Sequence, residues 1–133
     1  MKKTLAVVLI ALLVVGMAFS AYALSGTVHH SIRFTGVRGL CTGYIKEPED
    51  NNETKARITI NLVAGESHLP PEDYSCKVSA TIEYIVSGQP TILPLEKTGN
   101  LSAETGTFTT TNTVNSVDFD YYVNGVKKYH EAF

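Results

Sequence analysis

Two cysteines are the residues of this chain with the most direct chemistry. Cys41 and Cys76 form an even count in a chain whose start is typical of exported proteins, so we expect one disulfide between them. In the chain-entropy model, closing the loop between them would stabilise the fold by about 4 kcal/mol. The alternative, in which they serve as a metal pair or as a free nucleophilic thiol, stays open at this stage.

Neighbouring histidines suggest a metal site, but their spacing argues against one. His29 and His30 lie in a predicted strand, where successive side chains point to opposite faces, so they cannot chelate one ion. His68 lies in a proline-rich turn and His130 lies near the C-terminus. We therefore predict scattered surface histidines and no metal site.

A cluster of acids in a polar segment offers the ligand type that calcium prefers. The cluster consists of Glu47, Glu49, Asp50 and Glu53. Its spacing matches no EF-hand pattern, and a lysine flanks it on each side. A solvated loop explains the cluster, and calcium binding is left open.

Paired carboxylates can carry out acid–base catalysis, and Asp118 and Asp120 share one face of a predicted strand. Alternation in a half-exposed strand explains this pair without catalysis. The sequence contains no nucleophile elbow, zinc-protease motif, phosphate loop or dinucleotide fingerprint. We therefore predict that the protein is not an enzyme, has no catalytic residue and uses no cofactor.

The first 23 residues are typical of a secretory signal peptide. Lys2 and Lys3 form a basic start, residues 5–19 are apolar, and Ala21-Tyr22-Ala23 resembles a cleavage site. A retained membrane anchor is the alternative, because the uncharged run is long enough to span a bilayer. We predict an extracellular or cell-surface protein that uses the general secretory pathway and meets the membrane only during export.

The charge composition bears on which classes of partner the protein can bind. The chain has 11 basic and 13 acidic residues, with a formal net charge of -2, and no basic cluster, so nucleic acid is not expected as a partner. Two sequons, at Asn52 and Asn100, lie in segments predicted as polar loops and are candidate glycosylation sites.

Alternation of apolar and polar residues dominates the chain after residue 24. Residues 74–86 and 56–64 alternate clearly, and weaker strands are predicted at residues 38–47, 91–97 and 105–114. Prolines within or beside residues 91–97 predict an edge strand. These features predict an all-β, immunoglobulin-like antiparallel β-sandwich of about seven or eight strands, preceded by an N-terminal signal helix.

An Asn-Gly pair near the C-terminus predicts a β-hairpin with a type I′ turn. The two-residue turn at Asn124 and Gly125 would place Val123 opposite Val126 and Tyr122 opposite Lys127. Continued along the strands, this register predicts Asp120 opposite Tyr129.

Residues 25–36 read as a separate strand with a glycine near each end. Val28, His30, Ile32 and Phe34 share one predicted face, and a short segment joins them to the run that contains Cys41. The domain boundaries predicted from this are a signal peptide at residues 1–23, an N-terminal extension at residues 24–36 and a β-sandwich at residues 37–133.

This arrangement resembles the subunits of chaperone–usher fimbriae, whose chains commonly open on such an alternating strand followed by a cysteine. The resemblance implies an incomplete sandwich whose slot is filled by the first strand of a neighbouring subunit. The donor residues would be Val28, His30, Ile32 and Phe34, and the partner would be another copy of the same chain. The chain lacks the C-terminal strand pattern that a periplasmic chaperone captures, which fits chaperone-independent filaments better.

Two functions follow from this sequence. One is a secreted structural subunit of an extracellular, pilus-like filament assembled by donor-strand complementation. The alternative is a monomeric secreted binding module, an adhesin or inhibitor domain, which recognises its partner through loops such as residues 65–73. In that case residues 25–36 form an ordinary first strand of their own domain.

Overall fold

A computed structural model describes residues 24–46 and 51–133. The predicted signal segment and residues 47–50 of the acidic loop lie outside these described residues. Within them the chain forms nine β-strands and one short 3₁₀ turn, Pro71–Asp73. The strands are β1 (Gly26–Phe34), β2 (Val37–Lys46), β3 (Asn52–Leu62), β4 (Ser75–Val86), β5 (Gln89–Asn100), β6 (Ser102–Glu104), β7 (Phe108–Thr110), β8 (Val114–Val123) and β9 (Val126–Ala132).

The strands form two antiparallel sheets, which confirms the predicted all-β, two-layer architecture. Sheet A has the order β1-β2-β3-β6, with β7 also paired to β3, and sheet B has the order β5-β4-β8-β9. The count exceeds the predicted seven or eight because β6, a strand of only three residues, was not predicted. Such a short segment carries too few alternating positions to be recognised from the sequence. The strand predicted at residues 105–114 forms only over the three residues of β7.

One apolar core fills the space between the sheets, and its side chains come from the alternating inward positions of the strands. In β4 every second residue from Cys76 to Ile82 is buried, and in β8 the same holds from Val117 to Val123. Sheet A contributes in the same way. Its buried core residues include Val28, Ile32, Val37, Cys41, Ile45, Thr54, Ala56, Ile58, Ile60 and Ala103.

The C-terminal hairpin has the predicted turn but not the whole predicted register. Val123 pairs with Val126 and Tyr122 with Lys127, as predicted, whereas Asp120 pairs with His130 instead of Tyr129. The prediction of an Asp120–Tyr129 pair is wrong because a β-bulge shifts the register between Tyr121 and Tyr122. The extra residue turns the Tyr129 ring towards sheet A rather than outward beside Asp120.

The chain crosses from sheet B to sheet A at a single residue, Leu101. Its φ is 61°, in the left-handed region that favours glycine, and its carbonyl oxygen accepts a 2.9 Å hydrogen bond from the Ile60 amide. The preceding Gly99 has no room for a Cβ, because that atom would meet the Ser102 carbonyl oxygen. Strand β5 thus runs into β6 through a tight corner.

Strand β5 lies at the edge of sheet B, as its prolines predict. Pro94 pairs with Thr81 and Pro90 with Ile85 of β4. Proline has no N–H to donate, so it fits a ladder only where its nitrogen faces away from the neighbouring strand. The two prolines therefore leave the free edge of β5 short of donors for an incoming strand.

Candidate functional site

The four residues predicted to form a donor strand lie in β1, which pairs with β2 along its whole length in the same domain. Val28 and Ile32 are buried in the core, Phe34 is half-buried and His30 is exposed. The predicted boundary near residue 36 is the hairpin turn between β1 and β2. Because β1 pairs with β2 in its own chain and lies at the edge of sheet A, its donation to a neighbour stays a prediction.

Side chains tie β1 to β9 across the seam between the two sheets. The rings of His30 and Tyr129 are stacked, with centroids 3.8 Å apart. The Lys128 ammonium lies 4.2 Å from the centre of the Phe34 ring, and the Phe133 ring occupies the space beside Gly26. These contacts hold the first strand to the last one.

The two cysteines lie on different sheets and are both fully buried. Cys41 is in β2 and Cys76 is in β4, and the structure holds both as free thiols. Burial, and secondarily the nearby Cys76 sulfur, raises the pKa of Cys41 to about 12, while burial raises the pKa of Cys76 to about 11. Both sulfurs are thus protonated at neutral pH, which makes them poor nucleophiles. The disulfide between them stays a prediction.

The two sequon asparagines have structural partners. Asn52 opens β3 and is buried, and its Nδ2 donates a 2.9 Å hydrogen bond to the Asn112 carbonyl oxygen. Asn100 closes β5, and its Nδ2 donates 2.8 Å hydrogen bonds to the carbonyl oxygens of Pro71 and Tyr74. Their placement in loops was predicted wrongly. Glycosylation at either site stays a prediction.

The carboxylates Asp118 and Asp120 both lie on the outer side of β8, as alternation predicts. Asp120 is occupied by two basic partners, with its Oδ1 2.7 Å from His130 Nδ1 and 3.1 Å from Lys127 Nζ. Asp118 has no ion-pair partner among the described residues. This pair is therefore part of a charged outer surface.

The β3–β4 loop, residues 63–74, is the most distinctive surface feature. It consists mainly of exposed residues, yet it is held from three sides. The Leu69 amide donates a 2.9 Å hydrogen bond to the Tyr74 hydroxyl, and Asn100 binds the carbonyls of the following turn. Arg33 of β1 forms a 2.9 Å ion pair with Glu66.

A shallow depression of about 360 Å³ lies beside this loop. The end of β1, the β3–β4 loop and the turn between β8 and β9 line it, through Phe34, His68, Leu69, Tyr74 and Asn124 among others. Leu69 is 49% exposed at its rim. The loop and the depression together form a partly apolar surface at one end of the sandwich, held by hydrogen bonds to Tyr74 and Asn100.

Sequence reasoning included this loop but missed its supports. The hydrogen bond from Asn100 to the Pro71 carbonyl was not predicted, because the Asn-x-Ser context of Asn100 indicates a sequon. The two residues are also 29 positions apart, so no local sequence pattern connects them. Tyr74 opens the alternating residues 74–86, and that pattern predicts a strand but says nothing about the hydroxyl.

Nowhere in residues 24–46 and 51–133 do three His, Cys, Asp or Glu side chains group closely enough to hold a metal ion. That same part of the chain has no helix with the length and apolarity needed to cross a membrane. The acidic cluster, interpreted as a solvated loop with calcium binding left open, lies outside the described residues except for Glu53.

Comparisons with known proteins give no family. No family model, no curated protein and no solved structure matches the chain.

Proposed function

We propose that this protein is a secreted binding module with an immunoglobulin-like sandwich, which recognises its partner through the β3–β4 loop. The observation that carries the proposal is the immobilisation of an otherwise exposed loop by Tyr74, Asn100 and Arg33. Ordering a flexible loop at an interface costs conformational entropy, so a loop that is already fixed binds with a smaller penalty.

The chemistry of the loop defines the kind of partner. Leu69 is an exposed apolar residue, next to two prolines of fixed backbone geometry. Glu72 and Asp73 lie just beyond and have no ion-pair partner among the described residues. We therefore expect a protein partner with a small apolar pocket beside basic side chains.

Secretion, the disulfide and the absence of catalysis belong to the same proposal. The N-terminal sequence pattern supports export to the cell surface or beyond. A bond between Cys41 and Cys76 would link the two sheets through the core, since one cysteine lies in β2 and the other in β4. We assign the protein no catalytic residue and no cofactor.

A binding experiment with matched variants tests the proposal. Residues 24–133 and the variants Leu69→Asp and Val86→Asp are immobilised and exposed to extracellular extract, and retained proteins are identified, purified and titrated. Val86 is a suitable control because it is an exposed apolar residue at the end of β4 that lies furthest from the loop. We expect a purified partner that binds the wild type and Val86→Asp but not Leu69→Asp. If no purified protein distinguishes the two variants, the loop is not the recognition surface.

A filament subunit that donates β1 is the second candidate. One observation favours it: β1 is the first strand, lies at the edge of sheet A and is joined to β2 by a turn of two residues. A terminal edge strand can be exchanged between copies with every contact remade in the neighbour. In that case Val28, Ile32 and Phe34 would fill the same positions in the next subunit, with His30 again beside Tyr129.

A further inference from the structure

The outer surfaces of the two sheets carry opposite charge. The outer surface of sheet A, called here the basic face, has five cationic side chains against two carboxylates on its strands. These residues are Arg33, Arg38, Lys46, Lys55 and Arg57 against Glu53 and Glu104. Three of the cations form ion pairs, with Glu66, Glu53 and Glu104.

Arg38 and Arg57 form no ion pair with any described residue. They lie on β2 and β3 and line a depression of about 400 Å³, and the register of the two strands places Leu40, which also lines it, between them. Gly39, Thr42, Thr59 and Asn61 complete the lining. The basic face thus has a concave centre with two available guanidinium groups around an apolar side chain.

The outer surface of sheet B, called here the acidic face, has the opposite character. It has four carboxylates, two lysines and His130. The carboxylates are Glu83, Glu96, Asp118 and Asp120. Lys77 forms an ion pair with Glu96 at 3.8 Å, and Lys127 forms one with Asp120 at 3.1 Å. Glu83 and Asp118 have no ion-pair partner in the described part of the chain.

The acidic face also has an exposed apolar residue. Ile92 of β5 pairs with Glu83 of β4 and is 67% exposed. Each face therefore combines an apolar side chain with two charged groups that lack partners, and the signs are opposite. This is the pattern by which complementary surfaces find their register.

We propose that the basic face of one copy docks on the acidic face of a second copy. The two surfaces are different, so the contact is heterologous: each copy still presents one free face of each sign, and the association is open rather than closed. This inference concerns the sheet faces and does not depend on the β3–β4 loop or on donation of β1.

A second copy is a better occupant of the basic face than an unrelated polyanion. The chain as a whole has a net charge of -2, so the long-range field does not attract a polyanion. The complementary acidic surface, in contrast, is present on every copy at the same concentration as the basic face.

Light scattering and sedimentation of residues 24–133 at low and high salt test the proposal. At about 20 mM salt we expect the average mass to rise with protein concentration to at least twice that of the monomer, and at about 500 mM salt to return to the monomer, since screening weakens exposed charge pairs. The double variants Arg38→Glu/Arg57→Glu and Glu83→Lys/Asp118→Lys should each remain monomeric at both concentrations of salt. Lys97→Glu, an exposed charge reversal elsewhere on β5, should behave like the wild type.

A mixture of the two double variants tests most directly whether the two faces bind each other. One variant has two acidic faces and the other two basic faces, so the mixture should regain the association that each has lost. The proposal is overturned if the wild type stays monomeric at low salt, or if its association survives the charge reversals, as strand exchange would. It is also overturned if the mixture stays monomeric, or if the basic face binds heparin while the protein does not self-associate.

Discussion

The ring of His30 in the first strand lies flat on the ring of Tyr129 in the last strand, with an angle of 4° between the planes. Alternation directs the His30 side chain towards the seam between the sheets, where it remains exposed. The bulge before Tyr122 brings Tyr129 to the same place, and the two rings cover each other. The contact connects the two ends of the domain across the gap between the sheets.

We expect His30→Ala to lower the free energy of unfolding by about 1 kcal/mol, the usual worth of an aromatic pair beyond its burial. His29→Ala is the matched control, because His29 is the adjacent residue and lies on the exposed outer side of β1. Chemical denaturation of both variants measures the difference. Equal losses would mean that the ring stack does not stabilise the fold.

Ile32, which is buried two positions further along β1, should affect the free energy of unfolding more strongly than His30. Ile32→Ala should destabilise the domain by about 2–5 kcal/mol, because it removes buried methylene groups and leaves a cavity in the core. Ser31→Ala, on the outer side of the same strand, should change the unfolding free energy by less than about 0.5 kcal/mol. A neutral Ile32→Ala would show that β1 does not occupy its own core in solution.

The sequence predicted the architecture where alternation was long, and failed where tertiary contacts took over. Strands β4 and β8 each bury one side over many residues, so period and turn residues were sufficient to find them. The bulge beside Tyr121 and the corner at Leu101 leave no such signal, because each depends on what the other sheet presents. The loop surface was named from composition, but Asn100 is 29 positions from the carbonyl that it holds.

Alkaline unfolding should reveal the redox state of the cysteines. Cys41 and Cys76 have folded pKa values raised to about 12 and about 11 from an ordinary value of 9.0. Above pH 9 the unfolded chain therefore loses protons that the folded chain keeps, and stability falls as pH rises, by about 1.4 kcal/mol per pH unit for each thiol.

Burial also raises the pKa of Tyr121, which adds to the loss of stability only above its ordinary value of 10.0. Denaturation between pH 8 and 10.5 should accordingly show a decline that begins near pH 9 in the reduced protein. In a protein with the predicted disulfide that early decline should be missing, and the intact mass should be lower by two hydrogens. An early decline in protein that has never met a reductant would disprove the disulfide.

Rigidity of the β3–β4 loop depends on the hydroxyl of Tyr74. Tyr74→Phe removes the acceptor of the Leu69 amide hydrogen bond, so we expect faster hydrogen exchange at Leu69 while the rest of the core keeps its protection. Tyr122→Phe, on the outer side of β8, is the control. Unchanged exchange at Leu69 in Tyr74→Phe would mean that the loop is fixed by other contacts.

The central claim is that the domain is complete in one chain, with β1 in its own sheet. Sedimentation and circular dichroism of residues 24–133 and of residues 36–133, both at about 500 mM salt to suppress contacts between charged faces, test it most directly. We predict that the longer protein is a folded monomer and that the shorter one is unfolded. A folded shorter protein, together with longer chains that form salt-resistant filaments, would contradict the claim and establish donation of β1 instead.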